Sequence, residues 1–244
     1  MSKSQSRISG SEIPEDISTE IFLKNWVTFR KIIENDNMSH SDGYTKLREI
    51  LIKEMKKPFS FLDLACGDAY YSSKILKGTR AEKYTGIDVS AEALSLAKEE
   101  FTNLEVQARF EKADFINFTD FVDTPVDVIW VGFSVHHLDT SGKLRFMKKV
   151  KGALSNGGLF LVFEPIFLEG ENRRLYFERF KQTFYMHWKG LNKEETEALL
   201  EHVRESERPE TRNNWIMLGK EAGFNQAEKV FSEKTGLYEI FKYS

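Results

Sequence analysis

The chain has 244 residues, 41% of them hydrophobic, and a formal net charge of −3 at pH 7. Its length suffices for one domain with a sizeable core, and the near balance of charge excludes a global attraction to nucleic acid or to an anionic membrane. A single cysteine excludes an internal disulfide, and we find no signal segment and no apolar run long enough to span a membrane. These features favour a cytoplasmic protein.

The amino-terminal part is predicted to be a tail followed by two helices. Residues 1–17 are mostly polar and are expected to be disordered. Apolar residues recur at three- and four-residue spacing within Ile21–Ile33, which predicts an amphipathic helix, and Tyr44–Lys57 has the pattern of a second one. We interpret residues 18–57 as a helical cap on a larger domain of residues 58–244.

The segment Phe59–Tyr71 has the pattern of a buried strand that enters a tight turn and then a helix. Its apolar run stops at Ala65, Cys66 and Gly67, whose small size lets a ligand approach the backbone. Asp63, at the end of the strand, is expected to direct an acceptor into the same crevice. This is the opening of a βαβ unit.

A second strand, Lys83–Val89, ends in Asp88, which is placed to accept hydrogen bonds from both hydroxyls of a ribose. Two cofactor classes are compatible with this unit: a nicotinamide or flavin dinucleotide, and S-adenosylmethionine. The dinucleotide fingerprint requires three glycines, and Ala65–Tyr70 contains only Gly67. Because a pyrophosphate would be poorly cradled, the dinucleotide hypothesis is the weaker one.

Asp63–Ala69 resembles the first motif of the class I S-adenosylmethionine-dependent methyltransferases, acidic-x-Gly-x-Gly-x-Gly. Ala65 and Ala69 stand at the first and third glycine positions. The resemblance spans about Ser60–Glu164, and Asn156-Gly157-Gly158 is similar to the family's later Leu-x-Pro-Gly-Gly turn.

Two further motifs follow in the order that the resemblance implies. After the third strand, Asp114 and Phe115 match positions where an acidic residue meets the adenine amino group and its neighbour packs on the ring. The fourth strand, Val126–Val131, is a near-continuous apolar run typical of a strand buried on both faces. The backbone after it, at Gly132 and Phe133, is implied to hold the methionine amino group. The resemblance thus implies a cofactor site made of Asp63, Ala65, Cys66, Gly67, Asp88, Val89, Asp114, Phe115, Gly132 and Phe133.

The implied fold class is α/β: a doubly wound, seven-stranded, mostly parallel sheet with its last strand antiparallel and helices on both faces. Asn225–Glu233 and Leu237–Tyr243 are expected to form the antiparallel pair that completes it. A helical lid is predicted at about residues 165–211.

Methyl transfer from a sulfonium is an in-line displacement, so the protein chiefly positions the reactants and excludes water. His136 and His137 follow the fourth strand, where many small-molecule methyltransferases resemble this chain in carrying a His-His-Leu stretch. One of them is a candidate general base or substrate contact, with His137 preferred; the alternative is that one caps the next helix and the other packs. Because no carboxylates cluster there, no metal is expected.

The predicted lid mixes aromatic and basic side chains, which suits an anionic or aromatic acceptor. The alternative is an ordinary amphipathic helical pair that covers the sheet. The candidate acceptor-binding residues are Arg173, Tyr176 and Arg179 in the lid and Trp26, Arg30 and Tyr44 in the amino-terminal cap.

The sequence therefore predicts an S-adenosylmethionine-dependent methyltransferase that acts on an oxygen, nitrogen or sulfur atom of a small molecule, as a monomer or homodimer. Methylation of a protein or RNA is an alternative, although no recognition module or basic aromatic face is evident. A non-catalytic module that binds S-adenosylmethionine is another. A nicotinamide-dependent reductase is the most distant.

Overall fold

The computed structural model describes residues 27–244. The predictions for the tail of residues 1–17, for the start of the first helix and for Trp26 fall outside these residues. The helices are α1 (27–34 within the described part), α2 (His40–Glu54), α3 (Tyr70–Leu76), α4 (Ala91–Phe101), α5 (Thr140–Ala153), α6 (Arg173–His187), α7 (Lys193–Ser206) and α8 (Arg212–Glu221). The strands are β1 (Phe59–Leu64), β2 (Ala81–Asp88), β3 (Gln107–Lys112), β4 (Val126–Gly132), β5 (Leu154–Phe167), β6 (Glu210–Thr211), β7 (Ala227–Ser232) and β8 (Tyr238–Tyr243).

Over the described residues the strands form one sheet in the order β3-β2-β1-β4-β5-β8-β7, with the short β6 paired to β5. The first five strands of that order are parallel, and β8 is antiparallel to both of its neighbours. This confirms the predicted α/β fold with its antiparallel end. The strand order reverses between β1 and β4, so their carboxyl ends lie side by side and open the crevice where such sheets bind ligands.

The core has two layers because successive residues of a strand face opposite sides of the sheet. On β4, Val128 and Trp130 enter one layer, whereas Ile129 and Val131 enter the other. All four side chains are fully buried. Burial on both faces explains why this strand appears in the sequence as a continuous apolar run.

Helix α2 begins earlier than predicted because Gly43 does not break it. Gly43 lies inside the helix, and a Cβ there would come within 2.4 Å of the Phe163 ring. The glycine therefore permits close packing of α2 on β5. The helix also ends earlier, at Glu54 rather than Lys57.

The apolar run Leu159–Phe163, which is typical of a buried strand, is only the middle of β5. At the carboxyl end of β5, Ile166 and Phe167 pair with the short strand β6, and the Ile166 N–H donates to the Leu237 carbonyl. These backbone partners lie far away in sequence, so local pattern alone did not indicate the extension.

Helices α6 and α7 follow β5 as predicted, and α7 begins with a capping box between Asn192 and Glu195. One face of α6 packs into the core through Tyr176, Phe180 and Phe184. Within residues 27–244, no helix has the length and apolar composition needed to cross a lipid bilayer. The division into an amino-terminal cap, a main domain and a lid stays a prediction.

Candidate active site

The turn after β1 is built from left-handed backbone. Ala65, Gly67 and Ala69 have φ of 53°, 54° and 52°, and these are the three glycine positions of the motif. Each alanine in this conformation costs about 1–2 kcal/mol relative to the right-handed region. The turn is fastened to the next strand by the Cys66 N–H, which donates to the Ile87 carbonyl.

Asp88 links the turn to the end of β2. One carboxylate oxygen accepts from the Gly67 N–H and the other from the Ser90 N–H, each at 2.9 Å. Burial raises the pKa of Asp88, while these backbone donors oppose the rise. Each oxygen retains capacity for a further hydrogen bond.

Asp63 does not point into the crevice as expected. Its carboxylate is buried behind the turn, where it accepts hydrogen bonds from the hydroxyls of Ser72 and, at 2.8 Å, Tyr84. Burial raises its pKa to about 7, although both hydroxyls oppose the shift. Asp63 therefore stabilises the turn by linking β1 to α3 and β2 through these two hydrogen bonds.

Cys66 also points away from the crevice. A Cβ placed on Gly86 would lie 2.9 Å from the Cys66 sulfur, so the thiol packs against β2. Burial, followed by the charges of Asp63 and Asp88, raises the pKa of this thiol. A small, protonated side chain in this place fills space and is a poor nucleophile.

The crevice is a cavity of about 790 Å³ at the carboxyl ends of β1, β2, β3 and β4. Eight of the ten predicted cofactor residues line it: Ala65, Gly67, Asp88, Val89, Asp114, Phe115, Gly132 and Phe133. Two other elements close it. Helix α1 contributes Val27, Thr28, Phe29 and Ile32, and the α7 region contributes Asn192, Glu194, Glu195, Ala198, Leu199 and His202.

The described part of the cavity lining is acidic. Within residues 27–244 it contains the carboxylates of Asp88, Asp114, Glu194 and Glu195 and two histidines, with no lysine or arginine. Lys31 of α1 lies at its edge, where its ammonium group binds Glu195 at 2.6 Å. Such a lining favours a cationic or neutral ligand over an anionic one.

The loop after β4 is held by Glu164, a residue whose role the sequence analysis missed. This carboxylate is fully buried and accepts from the backbone N–H groups of Ser134, Val135 and His136 at 2.8–3.2 Å. Phe133, with φ of 53°, starts the loop. An acidic residue at the carboxyl end of a buried strand beside the predicted site was the available signal.

The two adjacent histidines have different environments in the structure. His136 is buried, and its Nδ1 lies 2.6 Å from Glu164. Burial alone would lower the pKa of His136, but the Glu164 carboxylate outweighs it and raises the value. His137 instead lines the cavity. Its pKa is lowered, first by enclosure in the protein and then by the neighbouring His136 and His202, so its imidazole is neutral near pH 7.

The third histidine of this cluster, His202, was not predicted. Its ring centroid lies 5.4 Å from that of His137, with the ring planes at 69°. It is three residues beyond Leu199, whose apolar side chain packs against the core, and residues at this spacing share a helix face. That periodicity could have identified it.

The five predicted acceptor residues that the structure describes lie outside the cavity lining. Arg30 is exposed and pairs with Glu34, and the Tyr44 hydroxyl accepts from the Trp130 indole N–H at 3.2 Å. The Arg179 guanidinium donates to both oxygens of Glu171 and to two backbone carbonyls. None of these three lines the cavity.

The remaining two are likewise outside the lining, and a reason is visible for each. Tyr176 is buried and donates to Glu207 at 2.8 Å. Arg173 is exposed at the start of α6. The lid arginines therefore either stabilise the α6 region or face outward, and these positions do not support an anion-binding role in the cavity.

In the described part of the chain, no three His, Cys, Asp or Glu side chains are grouped so that they could hold a metal ion. The expectation that the protein binds no metal stays a prediction.

Comparisons with known proteins agree with this geometry. Residues 61–158 match a family model described as a methyltransferase domain. The chain is 27% identical over 209 residues to carboxy-S-adenosyl-L-methionine synthase 1 of Yersinia pseudotuberculosis, covering 81% of this chain and 85% of that protein. It is 29% identical over 120 residues to the demethylmenaquinone methyltransferase of Leptospira interrogans, covering 46% of each.

Among solved structures, the plantazolicin methyltransferase BpumL, in complex with a triazolic desmethylPZN analog and SAH, is similar with a TM-score of 0.61. The identity is 17%, and the match covers 91% of this chain and 93% of that one, so this likeness concerns the fold. The strand order, the left-handed turn after β1, the acidic end of β2 and the methyltransferase-domain match converge. Residues 61–158 therefore resemble a methyltransferase domain, and the fold around them is similar to that of a solved methyltransferase.

Proposed function

We propose that this enzyme transfers the methyl group of S-adenosylmethionine to an oxygen, nitrogen or sulfur atom of a small molecule. The observation that carries the proposal is a single cavity in which the cofactor residues, His137 and apolar side chains of α1 and α7 meet. Since α1 and α7 close over the cavity, its form favours a small acceptor over a protein surface or a folded RNA.

The residues present fit the cofactor. Asp88 keeps acceptor capacity for ribose hydroxyls, and Val89 is 57% exposed, which leaves an apolar surface that a purine ring would cover. Asp114 and Phe115 stand beside it, and the backbone at Gly132 and Phe133 faces the same space. The acidic lining complements the positive sulfonium and ammonium groups.

When bound, S-adenosylmethionine supplies a methyl group on a positively charged sulfur, an excellent leaving group. The chain's own contribution is then positioning and exclusion of water. Glu164 fixes the loop that carries Phe133 and His137, and α1 and α7 enclose the reacting atoms. Enclosure and the neighbouring imidazoles lower the pKa of His137 to about 3, so this neutral ring is a weak base whose free nitrogen accepts a hydrogen bond from the acceptor.

The similarity to a carboxy-S-adenosyl-L-methionine synthase suggests a second chemistry, but the charge of the cavity does not support it. A product of that name carries an additional carboxylate near the sulfonium, and a buried carboxylate requires a cation or several hydrogen-bond donors. No lysine or arginine lines the cavity among residues 27–244. We therefore favour methyl transfer.

Calorimetric titration with S-adenosylhomocysteine tests the cofactor site. We expect Asp88→Asn to weaken binding about tenfold to a hundredfold, because hydrogen bonds to a charged group contribute about 1.5–3 kcal/mol each. The matched control is Asp120→Asn, at an exposed carboxylate outside the cavity, and it should leave affinity unchanged. Absence of binding by the unaltered protein would refute the proposal.

Methyl-labelled S-adenosylmethionine tests the reaction itself. The enzyme is incubated with a panel of alcohols, phenols, amines and thiols, and separately with protein and RNA fractions of a cell extract. Label in the small-molecule products supports the proposal, whereas label only in protein or RNA supports the macromolecular alternative. A cofactor that gains a carboxylate, detected by mass spectrometry, would indicate the synthase chemistry. Tight cofactor binding without any transfer would indicate a non-catalytic module.

A further inference from the structure

We propose that His202 of α7 and His137 form a two-imidazole subsite, and that this subsite binds an acceptor whose nucleophilic atom is an alcohol or amine carrying a hydrogen. The inference rests on the proposed function and deepens it. It assigns a second histidine to the acceptor end and excludes carboxylates as the attacking group.

The first argument is position. His137 follows β4 in the body of the enzyme, and His202 lies on α7, yet both rings line one cavity with centroids 5.4 Å apart. The planes are steeply inclined at 69°, so the rings do not stack face to face. At this separation the two rings contact each other edge to face, so a small polar group would approach the pair from the cavity beside them.

The second argument is the protonation of the cluster. His136 lies behind His137 with a ring-centroid separation of 4.1 Å, and it is paired with the buried Glu164. His136 takes up the Glu164 contact, and His137 hydrogen-bonds to the Ser206 backbone, which leaves one ring nitrogen of His137 for a ligand. Enclosure and the charge of His136 lower the pKa of His202, as they do that of His137. A neutral imidazole offers one acceptor nitrogen and one donor N–H.

The third argument is the surrounding charge. Glu194 and Glu195 line the same cavity from the first turn of α7, and Lys31 at the edge is paired with Glu195. No guanidinium or ammonium group lines the cavity within the described residues to neutralise an acceptor carboxylate. Binding of an alcohol or an amine does not carry the free-energy cost of burying an unpaired carboxylate.

The chemistry balances with these groups. The lone pair of the acceptor oxygen or nitrogen forms a bond to the methyl carbon while the carbon–sulfur bond breaks and its electron pair returns to sulfur. The hydrogen on the acceptor atom leaves as a proton to the acceptor nitrogen of an imidazole, which later releases it to water. His202 is therefore a catalytic residue alongside His137.

Histidine-ring NMR of the protein saturated with S-adenosylhomocysteine tests the subsite. The chain has five histidines, so single substitutions assign every ring signal. The probes are benzyl alcohol, benzylamine and benzoate, which share one aromatic frame and differ in the polar group. We expect the alcohol and the amine to shift the His137 and His202 signals together, and benzoate to shift neither.

His202→Asn should weaken binding of the alcohol and amine about tenfold, which corresponds to loss of one hydrogen bond. His202 borders the cavity and keeps part of its side chain in solvent, so this variant is expected to fold. The control is His187→Asn, outside the cavity lining at the end of α6. Ring signals that ignore the alcohol and the amine up to their solubility limits, or that respond equally to benzoate, would overturn the inference. Failure to bind S-adenosylhomocysteine would instead overturn the proposed function and this inference with it.

Discussion

Glu164→Gln should release the loop after β4 on the acceptor side of the cavity while leaving the sheet intact. In the native enzyme this fully buried carboxylate accepts from three backbone N–H groups and from the ring of His136, the last at 2.6 Å. Glutamine has nearly the same shape, but it carries no charge, and one of its two polar termini is a donor. That terminus would face other donors.

The magnitude follows from the number and type of contacts. Loss of hydrogen bonds to a charged group costs about 1.5–3 kcal/mol each, and breaking a buried ion pair by removing one partner costs about 3–5 kcal/mol. These terms overlap because His136 belongs to both. We therefore expect the free energy of unfolding at pH 7 to fall by about 3–5 kcal/mol, with a further loss of affinity for S-adenosylhomocysteine of tenfold or more because the Phe133 loop is released.

Glu233→Gln is a matched control. Glu233 is 5% exposed and accepts from the backbone N–H groups of Thr235 and Leu237, each at 2.6 Å, in the β7–β8 hairpin outside the cavity lining. Urea unfolding should show destabilisation of both variants, whereas calorimetry should show weakened cofactor binding only for Glu164→Gln. A folded Glu164→Gln variant with unaltered affinity would refute the role of Glu164 as the support of the site.

Three further predictions concern the turn, its buried acid and the closure of the cavity. Ala65→Gly should raise the free energy of unfolding by about 0.5–1 kcal/mol in urea, since relief of about 1–2 kcal/mol of left-handed strain exceeds the added chain entropy; a loss of stability would contradict the φ of 53°. Because burial raises the pKa of Asp63 from 3.8 to about 7, the folded protein holds a proton that the unfolded chain releases, so stability should decline as pH rises from about 4 to 7. Asp63→Asn should flatten this decline by up to about 4 kcal/mol, measured as thermal or urea unfolding against pH, and an unchanged slope would show that another group is responsible. Lys31→Met should speed release of S-adenosylhomocysteine about two- to fivefold in stopped flow by removing the pair with Glu195, whereas Lys46→Met, at an exposed pair on α2, should leave the release rate as it was.

The cofactor side was predictable because its determinants are local. The three left-handed positions of the turn, including Ala65 and Ala69, lie within five residues, and Asp88 ends a strand whose pattern is plain. The strand patterns and the resemblance to the family's motifs therefore located eight residues of the cofactor side of the lining. It did not give the direction of Asp63, since that depends on Ser72 and Tyr84 from neighbouring elements.

The acceptor side was less predictable because its partners are distant in sequence. His136 and His137 are indistinguishable by pattern, and only Glu164, at the end of another strand, assigns the first to the interior. Arg179 looked available for an anion, but its donors are occupied by Glu171 and by backbone carbonyls. The type of a side chain does not predict which tertiary partners it will bind.

The acceptor end of the cavity is closed by contacts between elements that are distant in sequence. Helix α1 and the α6–α7 region meet through the Lys31–Glu195 pair and through two reciprocal hydrogen bonds between the Asn37 side chain and the Lys189 backbone, at 2.9 and 3.0 Å. Both contacts are partly exposed and individually weak, whereas Glu164 and its partners are buried. Opening between α1 and α7 would thus cost much less free energy than moving the β4 loop. The end of α7, in contrast, is tied to the β4 loop, because the Arg208 N–H donates to the His136 carbonyl at 2.9 Å and His137 hydrogen-bonds to the Ser206 backbone. Opening at α1 would therefore admit the acceptor while His137 and His202 keep their relative positions.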